Sequence, residues 1–241
     1  LQNGTYDLLH ATAANNGGIG IARTSLWSGQ VLNSNSWGNT GGNISVPAAQ
    51  LAFSNGVGPV LAGQNGNTDV DPQFANAAAG DLHLQATSPC LGTADFATSQ
   101  RVMRDHDETS RVQDHALSGS LRADMGAYER AAYHMDVSGD SVLGTTMTFV
   151  LQGPGGIGAV FFSFEVGQGL LIPGLGDALV GFPNVTLPPG VVTMGQPVQF
   201  VQPPNPALDG VHFEVQGLGL QLTGGLHGGF TQVDRNELHF D

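Results

Sequence analysis

Apolar and polar side chains alternate along much of residues 145–240. "TTMTFVLQG" (145–153), "GAVFFSFEVG" (158–167), "VVTMGQPVQFV" (191–201), "GVHFEVQGLGLQL" (210–222) and "GFTQVDRNELHF" (229–240) each gather their apolar residues on one face of an extended chain. Gly and Pro clusters separate them: "GPGG", "IPGLG", "LPPG" and "QPPNP". Such clusters end extended runs and make corners, so the pattern predicts antiparallel strands joined by tight turns. Residues 133–241 have the size of one β-sandwich-like domain. Continuation or capping of the first half is the other reading of this stretch.

Residues 1–132 have a different texture. Their apolar residues come in short pairs set between Asn, Gly and Ser. "NNGGIGIA" from Asn15 and "NTGGNISV" from Asn39 are related by an offset of 24, and so are Leu8 and Leu32. A third, poorer copy falls at "AGQNGNTDV" (62–70). A period in the twenties fits one coil of a β-solenoid, in which each coil buries its inward face only against its neighbours. Asn tolerates the left-handed corners of such coils and Gly adopts them freely. At this offset Ile19 and Ile21 stand one residue out of step with Ile44 and Val46. Two or three coils are few for a stable solenoid, so more are expected before Leu1.

The stretch that follows carries a recognisable series. Asp71-Pro72 and Phe74 come first, then Gly80-Asp81 with His83-Leu84, then Ser88-Pro89. Asp105, Asp107 and Arg111 follow, and Asp124-Met125-Gly126-Ala127-Tyr128-Glu129 ends the series. It resembles the C-terminal end of bacterial secreted right-handed parallel β-helix repeat proteins with a choice-of-anchor tail, most closely over 69–130. Glu108 stands where that family usually has Gly, and "DHALSGSLR" is a long insertion before "ADMGAYE". The resemblance, which covers about residues 15–130, implies that 1–132 are the end of a right-handed parallel β-helix; with the antiparallel β-sandwich-like domain read from alternation over 133–241, the expected fold is all-β. The resemblance also implies that Asp71, Pro72, Asp81, Ser88, Pro89, Arg111, Asp124, Gly126 and Glu129 close the solenoid, and it implies no particular activity. Locally, Asp before Pro starts a turn, and Ser-Pro forces an extended entry to the next short strand.

Charge narrows the function. The net charge is -13 and every basic residue is Arg. Phosphate neutralisation, and with it nucleic-acid binding, is not expected. No apolar run is long enough for a transmembrane helix, so no membrane span is expected. Cys90 is the one cysteine and forms no internal disulfide; it reads as a small buried hydrophobe. Six of the seven Arg lie in 1–132, against nine Asp and two Glu; 133–241 sets one Arg against six Asp and three Glu.

"RVMRDHDETSR" (101–111) is the densest ionisable patch. Asp105, Asp107 and Glu108 there, and Asp136 and Asp140 in "DVSGDS", are candidate calcium ligands. The competing reading is a charged loop in which Asp and Arg pair, and a β-turn at 136–141. Polysaccharide lyases on solenoids need a base and calcium to neutralise a uronate, and this patch lacks Lys and sits at the end of the repeat. Tyr6, Trp27 and Trp37 are candidates for stacking on a sugar ring, with core packing as the alternative. The eight His show no metal spacing, and "GPGGIG" lacks the Lys and helix of a phosphate loop. The expected function is a secreted or cell-surface structural or adhesive β-solenoid module, capable of forming an extracellular fibre and without catalysis of its own. Its expected partners are copies of itself or a cell-surface polysaccharide. The alternative is the non-catalytic tail of a polysaccharide-acting enzyme, or a carbohydrate-binding module.

Overall fold

The computed structural model describes residues 5–23, 27–114, 116–117, 120–164, 170–172, 175–179, 185–187, 190–221 and 227–238. It is all-β, with mixed parallel and antiparallel sheets and almost no helix. Contacts divide the chain into two units. The first is Leu1–His106 with Arg122–Arg130, and the second is Asp107–Leu121 with Ala131–Asp241. The chain therefore passes to the second unit at 107, returns at 122, and leaves again at 131. The sequence shows one change of texture, near the last of these crossings, and no sign of the excursion over 107–121.

The first unit begins with β1 (Leu8–Leu9), β2 (Thr12–Ala14), β3 (Ile21–Ala22), β4 (Val31–Leu32), β5 (Asn35–Trp37), β6 (Ile44–Ser45) and β7 (Leu51–Ala52). All their pairings are parallel. Leu8 pairs with Val31, Thr12 with Asn35 and Ile21 with Ile44, a common offset of 23. The sequence predicts an offset of 24, with Leu8 on Leu32; the offset is 23, and Leu32 pairs with Leu9, not Leu8. At 23 the mismatch between Ile21 and Ile44 disappears. The next return is shorter, with Val31 on Leu51. The copy expected at 62–70 is an abbreviated one, reached through a bridge from Asn55 to Thr68.

A strand of two or three residues buries little apolar surface. Ile21, Val31 and Leu51 make a small core, with Trp27, Ile44 and Val46 packed against it. Polar side chains fill the rest. Asn33, Ser34, Asn35 and Ser36 are all fully buried. Burying them costs free energy unless each finds a partner. The partners form a staircase: Ala11 N–H donates to Ser34 Oγ, Ser34 N–H to Ser54 Oγ, and Ser54 N–H to Asn67 Oδ1. Beside it Asn55 Nδ2 donates to Asn35 Oδ1 at 3.1 Å. The corners repeat too. His10, Asn33 and Phe53 directly follow the neighbouring parallel strands β1, β4 and β7 and share a left-handed backbone, with φ of 49°, 55° and 47°. For Phe this is an unusual conformation.

The rest of the first unit departs from the parallel pairing. β8 (Phe74–Asn76) and β9 (Asp81–Leu84) form a bulged antiparallel pair. A short 3-10 turn, Ala77–Ala79, joins them; the Asn76 side chain accepts from Ala79 N–H and Gly80 ends the turn at φ 84°. One turn of helix, α1 (Phe96–Ser99), is capped by Asp95, which accepts from Thr98 N–H. Leu84, Cys90 and Met125 form a second small core, against which Phe53 and Phe74 pack.

The second unit has longer strands: β10 (His134–Ser138), β11 (Thr146–Gln152), β12 (Ile157–Ser163), β13 (Leu170–Ile172), β14 (Gly176–Ala178), β15 (Val185–Thr186), β16 (Val192–Thr193), β17 (Pro197–Val201), β18 (His212–Gln221) and β19 (His227–Glu237). One antiparallel sheet runs β10-β11-β17, and another runs β15-β12-β18-β19 with β16 also on β12. Alternate residues enter a single core: Met147, Phe149 and Leu151 from one sheet, Val160, Phe162, Phe213 and Val215 from the other. The segment read as one strand over 191–201 is two, because Gly195 turns the chain at φ 79°. "GLGL" in β18 has a packing cause. A Cβ on Gly219 would lie 2.2 Å from the Tyr133 ring, and one on Gly217 2.0 Å from Leu151. Among the described residues no helix is long and apolar enough to cross a membrane.

Candidate functional site

Several residues of the series over 71–129 offer side-chain oxygens that accept main-chain N–H groups. Asp71 accepts from Gln73 N–H, starting the turn before β8. Ser88 donates to Pro72 O at 2.6 Å and accepts from Cys90 N–H. Asp124, fully buried, accepts from Gly92 N–H at 2.6 Å and from Arg130 N–H at 2.8 Å. Glu129 accepts from Asp124 N–H at 2.8 Å, and Asp105 from Glu129 N–H at 2.7 Å. Three buried carboxylates are thus linked through the main chain. Such charge-assisted bonds are among the strongest available to a protein. Gly126 lies close against the stack: its N–H donates to Asn33 O, and a Cβ there would lie 2.6 Å from Thr12 Oγ1.

The ionisable patch at 101–111 is not one loop. Asp105 belongs to the first unit, while Asp107, Glu108 and Arg111 belong to the second. Thr109, Ser110, Arg111, Val112, Gln113 and Asp114 are all buried. Glu108 O accepts from Val233 N–H, so the excursion adds to the edge strand β19. An open edge of that length is a liability that proteins cover. Glu108 has φ 62°, a left-handed conformation uncommon for a non-Gly residue.

The calcium candidates are dispersed. Asp105 is engaged as described, and Glu108 pairs with Arg235 at 3.0 Å. Asp136 accepts from Gln152 Nε2, with His134 at 3.7 Å. The Asp140 carbonyl accepts from Gln202 Nε2 and Thr145 Oγ1. Among the described residues no group of three or more His, Cys, Asp or Glu gathers to hold a metal ion. The stacking candidates are not joined by any ring contact among the described residues. Tyr6 is exposed, Trp27 donates its indole N–H to Tyr6 O and packs on the small core, and Trp37 pairs with Ala14 in β5.

Three constellations had no sequence signal. His10 Nε2 lies 3.0 Å from Ser99 Oγ, with Asn33 Nδ2 within 3.1 Å of both. This is the spacing of a base and a nucleophile. Yet Ser99 is fully buried and its hydroxyl donates to Asp95 O, so the cluster ties α1 to the first corner. Tyr128 lies between His83 and His106, at ring separations of 4.3 and 5.1 Å. His83 Nδ1 is 2.6 Å from Asp81, and this hydrogen bond holds the Asp81 carboxyl below its ordinary range.

The third is an open cavity of about 320 Å³ on β18 and β19, lined by His212, Phe213, Glu214, Arg235, Asn236 and Glu237. Arg235 Nε meets the buried Glu214 at 2.8 Å and its Nη2 meets Glu108 at 3.0 Å. The hydrogen bond to Glu214, reinforced by Glu108, raises the guanidinium pKa further. Arg235 is thus paired with two carboxylates, and a third, Glu237, lines the same cavity 3.7 Å from His212. A surface of that sign disfavours a polyuronate. Burial pushes the Cys90 thiol up to about 12, away from the thiolate form in which cysteine reacts.

The chain was compared with family models, curated proteins and solved structures, and none of the three gave a match.

Proposed function

We propose that this chain is a structural module of a secreted or cell-surface β-solenoid protein. In this reading residues 1–106 and 122–130 are the final coils and closing segment of a right-handed parallel β-helix. The strands from β10 to β19 form a β-sandwich-like domain. The module carries no chemistry of its own and serves adhesion or fibre formation. One observation carries the reading: the side chains equipped for chemistry are spent on holding the main chain. Asp105, Asp124 and Glu129 accept backbone N–H groups, and Ser99 and His10 are buried together. The common 23-residue register of three parallel pairs supports the solenoid. Solenoid ends and sheet edges offer unpaired backbone to a second copy.

Two measurements test it. Negative-stain microscopy and light scattering of the full chain, with calcium and with chelator, should find filaments or discrete oligomers. A panel of polyuronates should give no rise in ultraviolet absorbance. Eliminative cleavage of any of them would sink the structural reading. A strictly monomeric protein at all concentrations would remove self-assembly and leave polysaccharide adhesion to be tested by sedimentation.

A further inference from the structure

Three Asn-Gly pairs lie among the described residues, and their surroundings differ: Asn16-Gly17, Asn55-Gly56 and Asn65-Gly66. Asn-Gly is the dipeptide most open to intramolecular attack, because Gly leaves the following nitrogen unhindered. We propose that Asn65 is a built-in site of covalent modification, converting to aspartate and isoaspartate in the folded protein while Asn16 and Asn55 are protected.

The geometry separates the three. Asn55 is buried in the polar column. Its Nδ2 donates to Asn35 Oδ1 and to Val70 O, and its Oδ1 accepts from Val70 N–H and Thr68 Oγ1. The nitrogen that would attack it is also held, since Gly56 N–H donates to Thr68 O at 3.0 Å. Asn16 is exposed but tethered: its Nδ2 and its backbone N–H both donate to Asn39 Oδ1, and its carbonyl accepts from Thr40 N–H. Asn65 is exposed, and neither its side chain nor Gly66 N–H makes a hydrogen bond among the described residues. It sits in a tight turn closed by Asn67 N–H on Gln64 O, with φ of 51° and 72° at Asn65 and Gly66. Both signs suit a type I′ turn.

The reaction needs only water. Gly66 N attacks Asn65 Cγ, forming the ring C–N bond of a succinimide. The bond from Cγ to the side-chain nitrogen breaks, and that nitrogen leaves as ammonia with the proton that Gly66 N has lost. Water then adds at either ring carbonyl and opens it, giving aspartate or isoaspartate at 65. Isoaspartate inserts one carbon into the backbone. It displaces the Asn65 carbonyl, which accepts from Phe53 N–H at 2.9 Å, and so loosens the left-handed corner at Phe53.

The test is to age the full chain in mildly alkaline buffer made with heavy-oxygen water and to map the labelled positions by mass spectrometry. Each hydrogen bond that must open slows conversion several-fold, so Asn65 should react roughly tenfold faster than Asn16 and on the order of a hundredfold faster than Asn55. In denaturant the three should react at similar rates. Hydrogen exchange on the aged protein should show Phe53 N–H losing protection while Ile21 N–H keeps it. Equal rates at the three sites in the folded chain would overturn the proposal. So would an order that persists in denaturant, because local sequence would then be its cause.

Discussion

The two units solve the same problem with different materials. Among the described residues, the second gathers thirteen buried apolar side chains in one core cluster, behind strands of up to eleven residues. The first has strands of two to four residues, and among the described residues its parallel strands bury four apolar side chains, Ile21, Val31, Leu32 and Leu51. It makes up the deficit with interior Asn and Ser whose hydrogen bonds run from one return of the chain to the next. A hydrophobic core tolerates any residue of about the right volume. A polar column tolerates almost none, because an orphaned buried donor or acceptor costs its full desolvation. Register is therefore specified by shape in the second unit and by hydrogen-bond pairing in the first.

The largest expected effect tests the apolar side of this contrast. Phe149 is fully buried at the centre of the core shared by both sheets. Phe149→Ala should destabilise the second unit by about 3–5 kcal/mol, from lost transfer energy and the cavity left behind. Urea titration followed by hydrogen exchange at β11 and β18 reads the change. If protection at Ile21 and Ile44 fell equally, the two units would be one cooperative body and the contrast would fail.

The polar counterpart is Asn55→Ala. It removes the donor to Asn35 Oδ1 and Val70 O and the acceptor for Val70 N–H. Each buried group left unpaired costs about 1–3 kcal/mol. The diagnostic comparison is Asn55→Leu, which keeps apolar volume and should be no better than Ala. A Leu variant as stable as wild type would show that volume, not pairing, supports the stack.

These contrasts explain what could be read beforehand. Alternation over β11, β12, β18 and β19 is strong because one face of each strand meets an apolar core, and period two follows from the pleat. The 23-residue register was nearly legible in Ile21 and Ile44. It was masked by the similar "NNGG" and "NTGG" runs, which align at 24 and lie outside the ladders. Nothing local marks the Asn and Ser of "NSNS" over 33–36 as interior. His10 and Phe53 at left-handed corners were invisible, because neither residue type signals φ above zero. Asp124 and Glu129 accept main-chain N–H groups within the first unit, and Gly126 packs against Thr12 there. Arg111, four residues from an exchange between units, could not be placed from a charged run that looks solvated at every position.

The excursion sharpens the contrast at a smaller scale. Val112 is fully buried, and its carbonyl lies 2.7 Å from where a Cβ on Gly176 would be, within the second unit. Val112→Ala should cost about 1.5–2 kcal/mol, in proportion to the methyl groups removed from a dry site. Native-state exchange should show the loss at β19, beside the Glu108 carbonyl that caps Val233 N–H. Loss confined to Gly92, Gly126 and Arg130 amides would instead assign 107–121 to closure of the first unit.

The smallest effect is electrostatic, and it belongs to the first unit alone. Asp7 accepts from Arg101 at 2.9 Å and from Gln30 N–H. The hydrogen bond from Arg101, then that from Gln30, holds its carboxyl below the ordinary value of 3.8. A carboxylate whose pKa is lower folded than unfolded adds stability above the unfolded pKa and loses it as pH falls through the folded one. The contribution is therefore complete at neutral pH and disappears on acidification below 3.8. Arg101 is half exposed, so solvent screening holds the gain to less than about 1 kcal/mol. Asp7→Asn should flatten the acid limb of melting temperature against pH for the first unit, and salt should flatten it in the wild type. The second unit's melting should follow the same acid limb in both proteins. A flattening of both limbs would mean that the first unit's stability is transmitted through the crossings at 107, 122 and 131, and that the two materials act as one fold.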